Sequence, residues 1–168
     1  MASYLELHGL FFEDLSVGQT ALYARTVTEA DVVLFSGISG DTNPVHMNEI
    51  FASGTMFSGR IVHGMLTASF ISTVIGTRLP GPGVIYVSQS LRFKAPVRIG
   101  DTIEARATIT ELTPEKRRAT LKTVVTVGSK VVLEGEAVVM VPTRAMLEAA
   151  ENEAAPANGT AKTSIAAD

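Results

Sequence analysis

GMLTASFISTVIGTRL, residues 64–79, is the one long apolar stretch of the chain with helical composition, rich in Ala, Leu, Met and Phe. Such a helix, hydrophobic almost all round, must be wrapped by other structure. The wider stretch 61–79 is interrupted by polar residues such as His63, Ser72 and Arg78, which favours a buried helix over a membrane span. The sequence therefore predicts a central helix enclosed by the rest of the chain.

Most of the remaining sequence alternates between apolar and polar residues with the period of two that strands show. Pro114 marks a turn between two of these segments, and Gly128-Ser129 fits a two-residue hairpin loop before the last one. An apolar helix followed by a meander of long strands predicts an α+β hotdog fold, a long antiparallel sheet wrapped around a central helix. The predicted strands cover residues 20–27, 85–94, 103–109, 121–127 and 131–141.

A short helix is expected after the first strand, because Thr26 followed by Glu29 fits a capping box ahead of an apolar run. It should end near residues 37–40, where two glycines lie close together. Residues 41–45 cannot continue that helix, since Pro44 lacks an N–H and biases the preceding residue toward extended geometry. They are predicted to form a loop.

The 168 residues, 46% of them hydrophobic, are enough for one domain with a sizeable core and too few to predict a second. We assign residues 1–142 to this domain. Residues 143–168 are expected to form a C-terminal tail, partly helical or disordered, since large apolar groups are few from Glu151 onward. A net charge of -3, spread without long runs of one sign, excludes an electrostatic footprint for nucleic acid or an anionic membrane.

Cysteine is absent, which rules out a disulfide framework and a thiolate metal site. The three histidines, His8, His46 and His63, would need carboxylates to complete any metal site. The first residues carry acidic groups and no basic segment, which argues against a secretory signal and favours a cytoplasmic location. The expected partners are therefore small molecules or further copies of the chain, with no nucleic acid and no membrane.

FSGISGDTNPVH, residues 35–46, is the most informative segment for function. It places the carboxylate of Asp41 and the imidazole of His46 five residues apart, with the amide of Asn43 between them and Pro44 stiffening the loop. Two titratable groups of different intrinsic pKa could hold a water between them and divide proton removal from proton donation. Spacing alone leaves a second interpretation open, in which Asp41 caps the loop and His46 is a structural histidine.

The chain resembles the MaoC-like hydratases, the hydratase 2 family, in SGDTNPVHMNEIFA (39–52), GRIVHGMLTAS (59–69) and LPGPGVIYVSQSLRFKAPVRIGDTIEARATITEL (79–112). The similarity covers roughly residues 10–142. This family adds water reversibly to trans-2-enoyl-CoA thioesters, giving (R)-3-hydroxyacyl-CoA, without a metal or an organic cofactor. The resemblance thus implies a hydro-lyase that needs no cofactor and acts on acyl-CoA of short to medium chain length.

The resemblance also implies roles for individual residues. Asp41 and His46 match the catalytic pair, and Asn43 matches the amide of the motif. Gly64 matches the glycine whose backbone N–H binds the thioester oxygen, a role that suits the unpaired N–H groups and positive dipole end at the start of a helix. Ser72 falls where close relatives have an active-site serine.

Family relatives pair as dimers whose acyl tunnel lies near the subunit interface, so at least a homodimer is expected. Val74, Ile75 and Leu79 are candidates for lining such a tunnel. His63, which precedes the long helix, is interpreted as structural, because a histidine at that position often only bonds nearby backbone. The polar side of one strand and its turn offers candidates for contact with the CoA phosphates: Arg92, Lys94 and Arg98.

Other activities on the same fold remain alternatives, because a fold does not specify its chemistry. An acyl-carrier-protein dehydratase of the other type generally draws a catalytic carboxylate from the central helix, whereas residues 61–79 contain no Asp or Glu. A thioesterase usually takes its carboxylate from another position, so the pair of Asp41 and His46 favours hydration. A non-catalytic acyl-CoA binding protein that retains the fold stays open.

Overall fold

A computed structural model describes residues 4–154 of the chain. Its strands are β1 (Thr20–Thr26), β2 (Ile85–Phe93), β3 (Thr102–Thr113), β4 (Arg118–Val127) and β5 (Lys130–Met140). Its helices are α1 (Glu29–Ser39), α2 (Pro44–Met47), α3 (Glu49–Ser53), α4 (Gly64–Thr77) and α5 (Arg144–Ala154). Short 3-10 turns cover Tyr4–Leu7, Phe12–Asp14 and Pro114–Lys116.

The strands form one antiparallel sheet in the order β1-β3-β4-β5-β2, which leaves β1 and β2 at the edges. Alternation along β3 buries every second side chain on one face, as the period-two pattern predicted. All five predicted strands are present, and the hairpin between β4 and β5 turns at Gly128-Ser129 as expected. The buried residues of β3 are Ile103, Ala105, Ala107 and Ile109.

Helix α4 packs against the buried face of the sheet and forms the centre of the hydrophobic core. Its side chains at Ile71, Val74 and Ile75 are at most 1% exposed, and burying one such side chain contributes roughly 1.5–3 kcal/mol. The predicted central helix and the α+β hotdog arrangement are confirmed, although the helix ends at Thr77. Within residues 4–154, no helix is long and apolar enough to cross a bilayer.

The start of α1 differs from the sequence prediction by two residues. Thr28 is the N-cap residue, and Asp31 closes the capping box by accepting a hydrogen bond from the Thr28 N–H at 2.8 Å. The predicted pair of Thr26 and Glu29 is wrong, because Thr26 still belongs to β1. The predicted end is confirmed, since Gly40 adopts the left-handed conformation (φ 76°) that commonly ends a helix.

The segment after α1 is only partly a loop. Residues 40–43 are irregular, but Pro44 begins the short helix α2, with Asn43 as its N-cap. The prediction that the loop extends through residue 45 is wrong, because proline is well suited to the first position of a new helix, where its missing N–H costs nothing. His46 therefore lies on a helical turn.

The C-terminal part of the described chain is helical and docks on the N-terminal segment. Arg144, the first residue of α5, pairs with Asp14 at 2.7 Å and lies over the ring of Phe11. Residues 155–168, the rest of the predicted tail, lie outside the described residues. The boundary of the domain at residue 142 stays a prediction.

Candidate active site

Asp41, His46 and His63 come together between the end of α1 and the start of α4. One ring nitrogen of each histidine and one carboxylate oxygen of Asp41 all lie within 4.8 Å of one another. The two imidazoles are buried, with His63 only 1% exposed, whereas Asp41 is exposed. The structure thus brings the predicted pair together and adds a third group, His63, beside it.

Asp41 is held mainly through its backbone. Its carbonyl oxygen accepts hydrogen bonds from the hydroxyl of Ser36 at 3.1 Å and from Nε2 of His63 at 2.9 Å. The Oδ1 atom of its carboxylate accepts the N–H of Asn43 at 3.2 Å. The other carboxylate oxygen has no hydrogen-bond partner among residues 4–154, so it remains free to bind a water.

The ring of His46 is fixed in one orientation. Its Nδ1 lies 2.8 Å from the carbonyl oxygen of Ile61, which can only accept, so Nδ1 carries the proton and Nε2 is left as an acceptor. Burial lowers the pKa of His46 below its ordinary value of 6.5, although the hydrogen bond to Ile61 opposes this. The neutral imidazole is therefore favoured, with a lone pair at Nε2 ready to take a proton.

Arg60 anchors the helix that carries His46, and the sequence interpretation missed it. Its Nε donates to the carbonyl oxygen of His46 at 2.6 Å, and its guanidinium pairs with Glu29 of α1 at 2.9 Å. Only its place within the motif of residues 59–69 could have drawn attention to it. Arg98 supports the same loop, because its guanidinium donates to the carbonyl oxygens of Phe57 and Arg60.

These contacts bear on the candidates for binding CoA phosphates. The guanidinium of Arg98 is committed to backbone carbonyls, so Arg98 has a structural role in this chain. Lys94 is exposed and forms an ion pair with Glu134 at 3.2 Å, which solvent screens. Arg92 is exposed on β2.

Asn43 caps the short helix α2 with its side chain. Its side-chain oxygen accepts the N–H of Val45 at 3.2 Å and thereby caps α2. No partner for its side-chain NH2 group is found within the described part of the chain. This group is therefore available as a donor beside Asp41.

Gly64 is the first residue of α4, and its N–H has no acceptor among the residues that the structure describes. It lines a cavity of about 350 Å³ together with Ile61, Phe57, Phe93 and Val132. Ile61 and Gly64 lie between this cavity and the cluster of Asp41, His46 and His63, since the Ile61 carbonyl accepts a hydrogen bond from His46 and Gly64 follows His63. The residues predicted to line an acyl tunnel do not line this cavity. They are buried in the hydrophobic core: Val74, Ile75 and Leu79.

Within a single chain, Ser72 is distant from the other predicted site residues. It follows Gly64 by eight residues on α4, which corresponds to about 12 Å along the helix axis. Its side chain is exposed, as are those of Met65 and Ser69 on the preceding turns. The proposed role of Ser72 in the active site therefore stays a prediction.

The same three groups could supply one metal ligand each. However, Nδ1 of His46 and Nε2 of His63 already face backbone carbonyls, which leaves one nitrogen per ring. The ring centroids lie 3.9 Å apart with planes tilted by 33°, so the in-plane lone pairs of the two rings do not converge well on one point. The arrangement suits proton transfer better than metal binding.

The chain is similar to known proteins over most of its length. Residues 15–135 match the model of the MaoC like domain. An (R)-specific enoyl-CoA hydratase of Rhodospirillum rubrum is 60% identical over 143 residues, covering 85% of this chain and 98% of the relative. A 3-hydroxybutyryl-CoA dehydratase of Methylorubrum extorquens is 54% identical over 137 residues, covering 82% and 87%. The solved (R)-hydratase from Aeromonas caviae, involved in PHA biosynthesis, aligns with a TM-score of 0.75 and 44% identity over 77% of this chain and 99% of that one.

Proposed function

The chain belongs to the MaoC-like domain family, and from this premise we propose that it is a hydro-lyase that adds water reversibly to trans-2-enoyl-CoA, giving (R)-3-hydroxyacyl-CoA. The observation that carries the proposal is the arrangement of Asp41 and His46. A carboxylate with a free oxygen lies beside an imidazole whose Nε2 is left as an acceptor. Such a pair is what the addition of water to an activated double bond requires.

Binding of the thioester activates the substrate. Attack of water at C3 moves electron density onto the thioester oxygen, so this oxygen needs a hydrogen-bond donor that strengthens as charge develops. The unpaired N–H of Gly64 lies at the positive end of the α4 dipole and supplies that donor. The absence of a side chain on Gly64 lets the thioester approach the backbone closely.

The catalytic pair then handles the protons. A water held by the free carboxylate oxygen of Asp41 and by Nε2 of His46 attacks C3, and Nε2 takes its proton as the C3–O bond forms. A proton from the same pair adds to C2, so the pair ends in its starting protonation state. The NH2 group of Asn43 orients the water or the loop. Because the pair holds the water on one face of the double bond, C3 is attacked from that face and the product has a single configuration.

The cavity beside Gly64 is proposed to receive the acyl group. Its walls are mostly apolar, as at Phe57, Phe93 and Val132, and its volume of about 350 Å³ suits a short to medium chain. The Aeromonas caviae relative takes part in PHA biosynthesis, and we propose polyhydroxyalkanoate synthesis as the route that uses the product.

A homodimer, or a larger homo-oligomer, is the proposed working form. The edge strand β2 exposes large apolar side chains at Ile85, Val87 and Phe93, and an unpaired apolar edge invites pairing with another chain. The outer face of α4, with Met65 and Ser72, is uncovered as well. A second copy that covers this face places Ser72 in the interface, where the serine predicted for the site can act.

The test is the loss of enoyl-thioester absorbance when the purified protein is mixed with crotonyl-CoA, followed by chiral analysis of the product. We expect rapid loss that yields (R)-3-hydroxybutyryl-CoA. Release of free CoA thiol instead would support a thioesterase, and binding without turnover would support a non-catalytic acyl-CoA binding protein. The absence of any Asp or Glu from α4 already disfavours a dehydratase that uses a carboxylate on the central helix.

A further inference from the structure

His63 is a buried titratable residue that the proposed mechanism does not use. Its ring packs against two others, with its centroid 3.9 Å from that of His46 and 5.1 Å from that of Phe35. Its Nε2 lies 2.9 Å from the carbonyl oxygen of Asp41, and its own backbone immediately precedes Gly64. One side chain thus contacts both members of the catalytic pair and adjoins the N–H proposed to bind the thioester.

The contacts of His63 fix which ring nitrogen carries the proton. The carbonyl oxygen of Asp41 can only accept, so Nε2 of His63 carries a proton. Its Nδ1 is buried and has no hydrogen-bond partner among residues 4–154. The neutral ring is therefore the Nε2–H tautomer, with the Nδ1 lone pair left without a partner in the described part of the chain.

The same contacts have a geometric consequence. The hydroxyl of Ser36 occupies the second acceptor position of the Asp41 carbonyl, so the peptide after Asp41 is held from two directions. A displacement of this peptide would move the Asp41 carboxylate relative to Nε2 of His46. Because proton transfer requires heavy atoms within hydrogen-bond reach of the same water, a shift of about 1 Å is enough to slow the reaction.

We propose that His63 is a positioning residue for the catalytic pair: it donates from Nε2 to the Asp41 carbonyl and packs on His46, and thereby sets the spacing between the two. This inference rests on the proposed function. It assigns His63 no contact with substrate and no proton transfer. Its position next to Gly64 also ties the catalytic loop to the start of α4.

Two substitutions distinguish the effect of the His63 N–H donor from the effect of its aromatic ring. His63→Phe keeps an aromatic ring against His46 and removes the N–H, whereas His63→Gln keeps an N–H that can reach the Asp41 carbonyl and removes the ring. With crotonyl-CoA, we expect His63→Phe to lower kcat by about tenfold to a hundredfold with little change in KM. We expect His63→Gln to recover most of that loss, and thermal unfolding to show that both variants fold.

A double-mutant cycle with Asp41→Asn tests whether His63 acts through Asp41. We expect His63→Phe to cost little further activity once the carboxylate is gone, since residues that act as a unit are not additive. A loss that adds in full, or a His63→Phe variant with the kcat of the wild type, would overturn the proposal.

Imidazole 15N NMR of the wild-type chain gives a readout that does not depend on activity. We expect the Nε2–H tautomer for His63, because only this tautomer can donate to the Asp41 carbonyl. The Nδ1–H tautomer would overturn the positioning role even if both variants were poorly folded. A wild-type chain that fails to hydrate crotonyl-CoA refutes the proposed function by that result alone, and the NMR signature still decides whether His63 holds Asp41.

Discussion

Nε of Arg60 lies 2.6 Å from the carbonyl oxygen of His46, and the same guanidinium pairs with Glu29 in the first turn of α1. One side chain therefore links the short helix α2 to the helix that leads into Asp41. A helix of four residues has almost no stability of its own, because its length barely exceeds the nucleus. The placement of His46 depends on such anchors.

Arg60→Met should lower both kcat and the unfolding temperature. Methionine retains an unbranched apolar stem but cannot donate to the His46 carbonyl, so α2 loses its anchor and a buried acceptor loses its partner, at a cost of about 1–3 kcal/mol. Thermal unfolding and crotonyl-CoA kinetics measure the two effects. The matched variant Glu29→Gln should change little, since Glu29 is exposed and surface pairs contribute about 0–1 kcal/mol. Equal effects of both substitutions would show that the ion pair, and not the His46 carbonyl, is what matters.

Asp41→Asn should lower kcat at least about a hundredfold, because an amide has the shape of the carboxylate but cannot share a proton with His46. The fold should persist, since Asn retains the oxygen that accepts the Asn43 N–H. The control is Glu104→Gln, which neutralises an exposed carboxylate on β3. Near-normal turnover of the Asp41→Asn variant would remove Asp41 from the mechanism.

The activity should depend on pH through His46. Burial lowers its pKa below 6.5, and the proposed mechanism needs the neutral ring, so kcat/KM should fall on the acid side only at a pH below 6.5. The lowered pKa of His46 affects the stability of the fold in the same direction as the activity, so that both fall at acid pH. A depressed folded-state pKa means that the unfolded chain binds the proton more readily, so this contribution is present above pH 6.5 and is lost as the pH falls through the folded-state value. In His46→Gln the contribution should disappear. An acid limb centred above 6.5 in the wild type would contradict this assignment.

The sequence predicted the elements that depend on local periodicity. The strands and α4 follow from alternation and from a run of apolar residues, and both signals survive in the structure because each of these elements buries a face in the core. The start of α1 was placed wrongly because Thr26 with Glu29 and Thr28 with Asp31 have the same spacing. Only the end of β1, set by its pairing with β3, decides between them.

The sequence predicted those site residues that lie on one contiguous motif. It did not predict the contacts between residues that are distant in sequence. Asp41 and His46 lie on one short segment, so their proximity follows from sequence. The hydrogen bonds from Arg60 to His46 and from His63 to Asp41 join residues 14 and 22 positions apart, and no local pattern encodes them. The cavity beside Gly64 was not predicted for the same reason, because its wall is built by residues from separate loops and strands.

Gly64→Ala should lower kcat/KM without lowering stability. Alanine suits a helix start, but its Cβ would lie 2.9 Å from Cε1 of Phe93, so the Phe93 ring must move within the proposed acyl cavity. The backbone N–H of residue 64 is retained, so the loss arises from the displaced ring and the obstructed approach to the backbone. Crotonyl-CoA kinetics with thermal unfolding as a control measure it.

The double variant Gly64→Ala/Phe93→Leu separates these two causes. Leucine at position 93 removes the ring that the new methyl group meets, so activity should recover if the displaced ring is responsible. Phe93→Leu alone serves as the reference for the loss of the ring itself. If the double variant is no more active than Gly64→Ala, the methyl group obstructs the thioester directly, and the glycine is required for close approach to the N–H. If Gly64→Ala retains wild-type kcat/KM, neither the ring position nor the absence of a side chain at residue 64 limits the reaction, and the need for a glycine to admit the thioester loses its support.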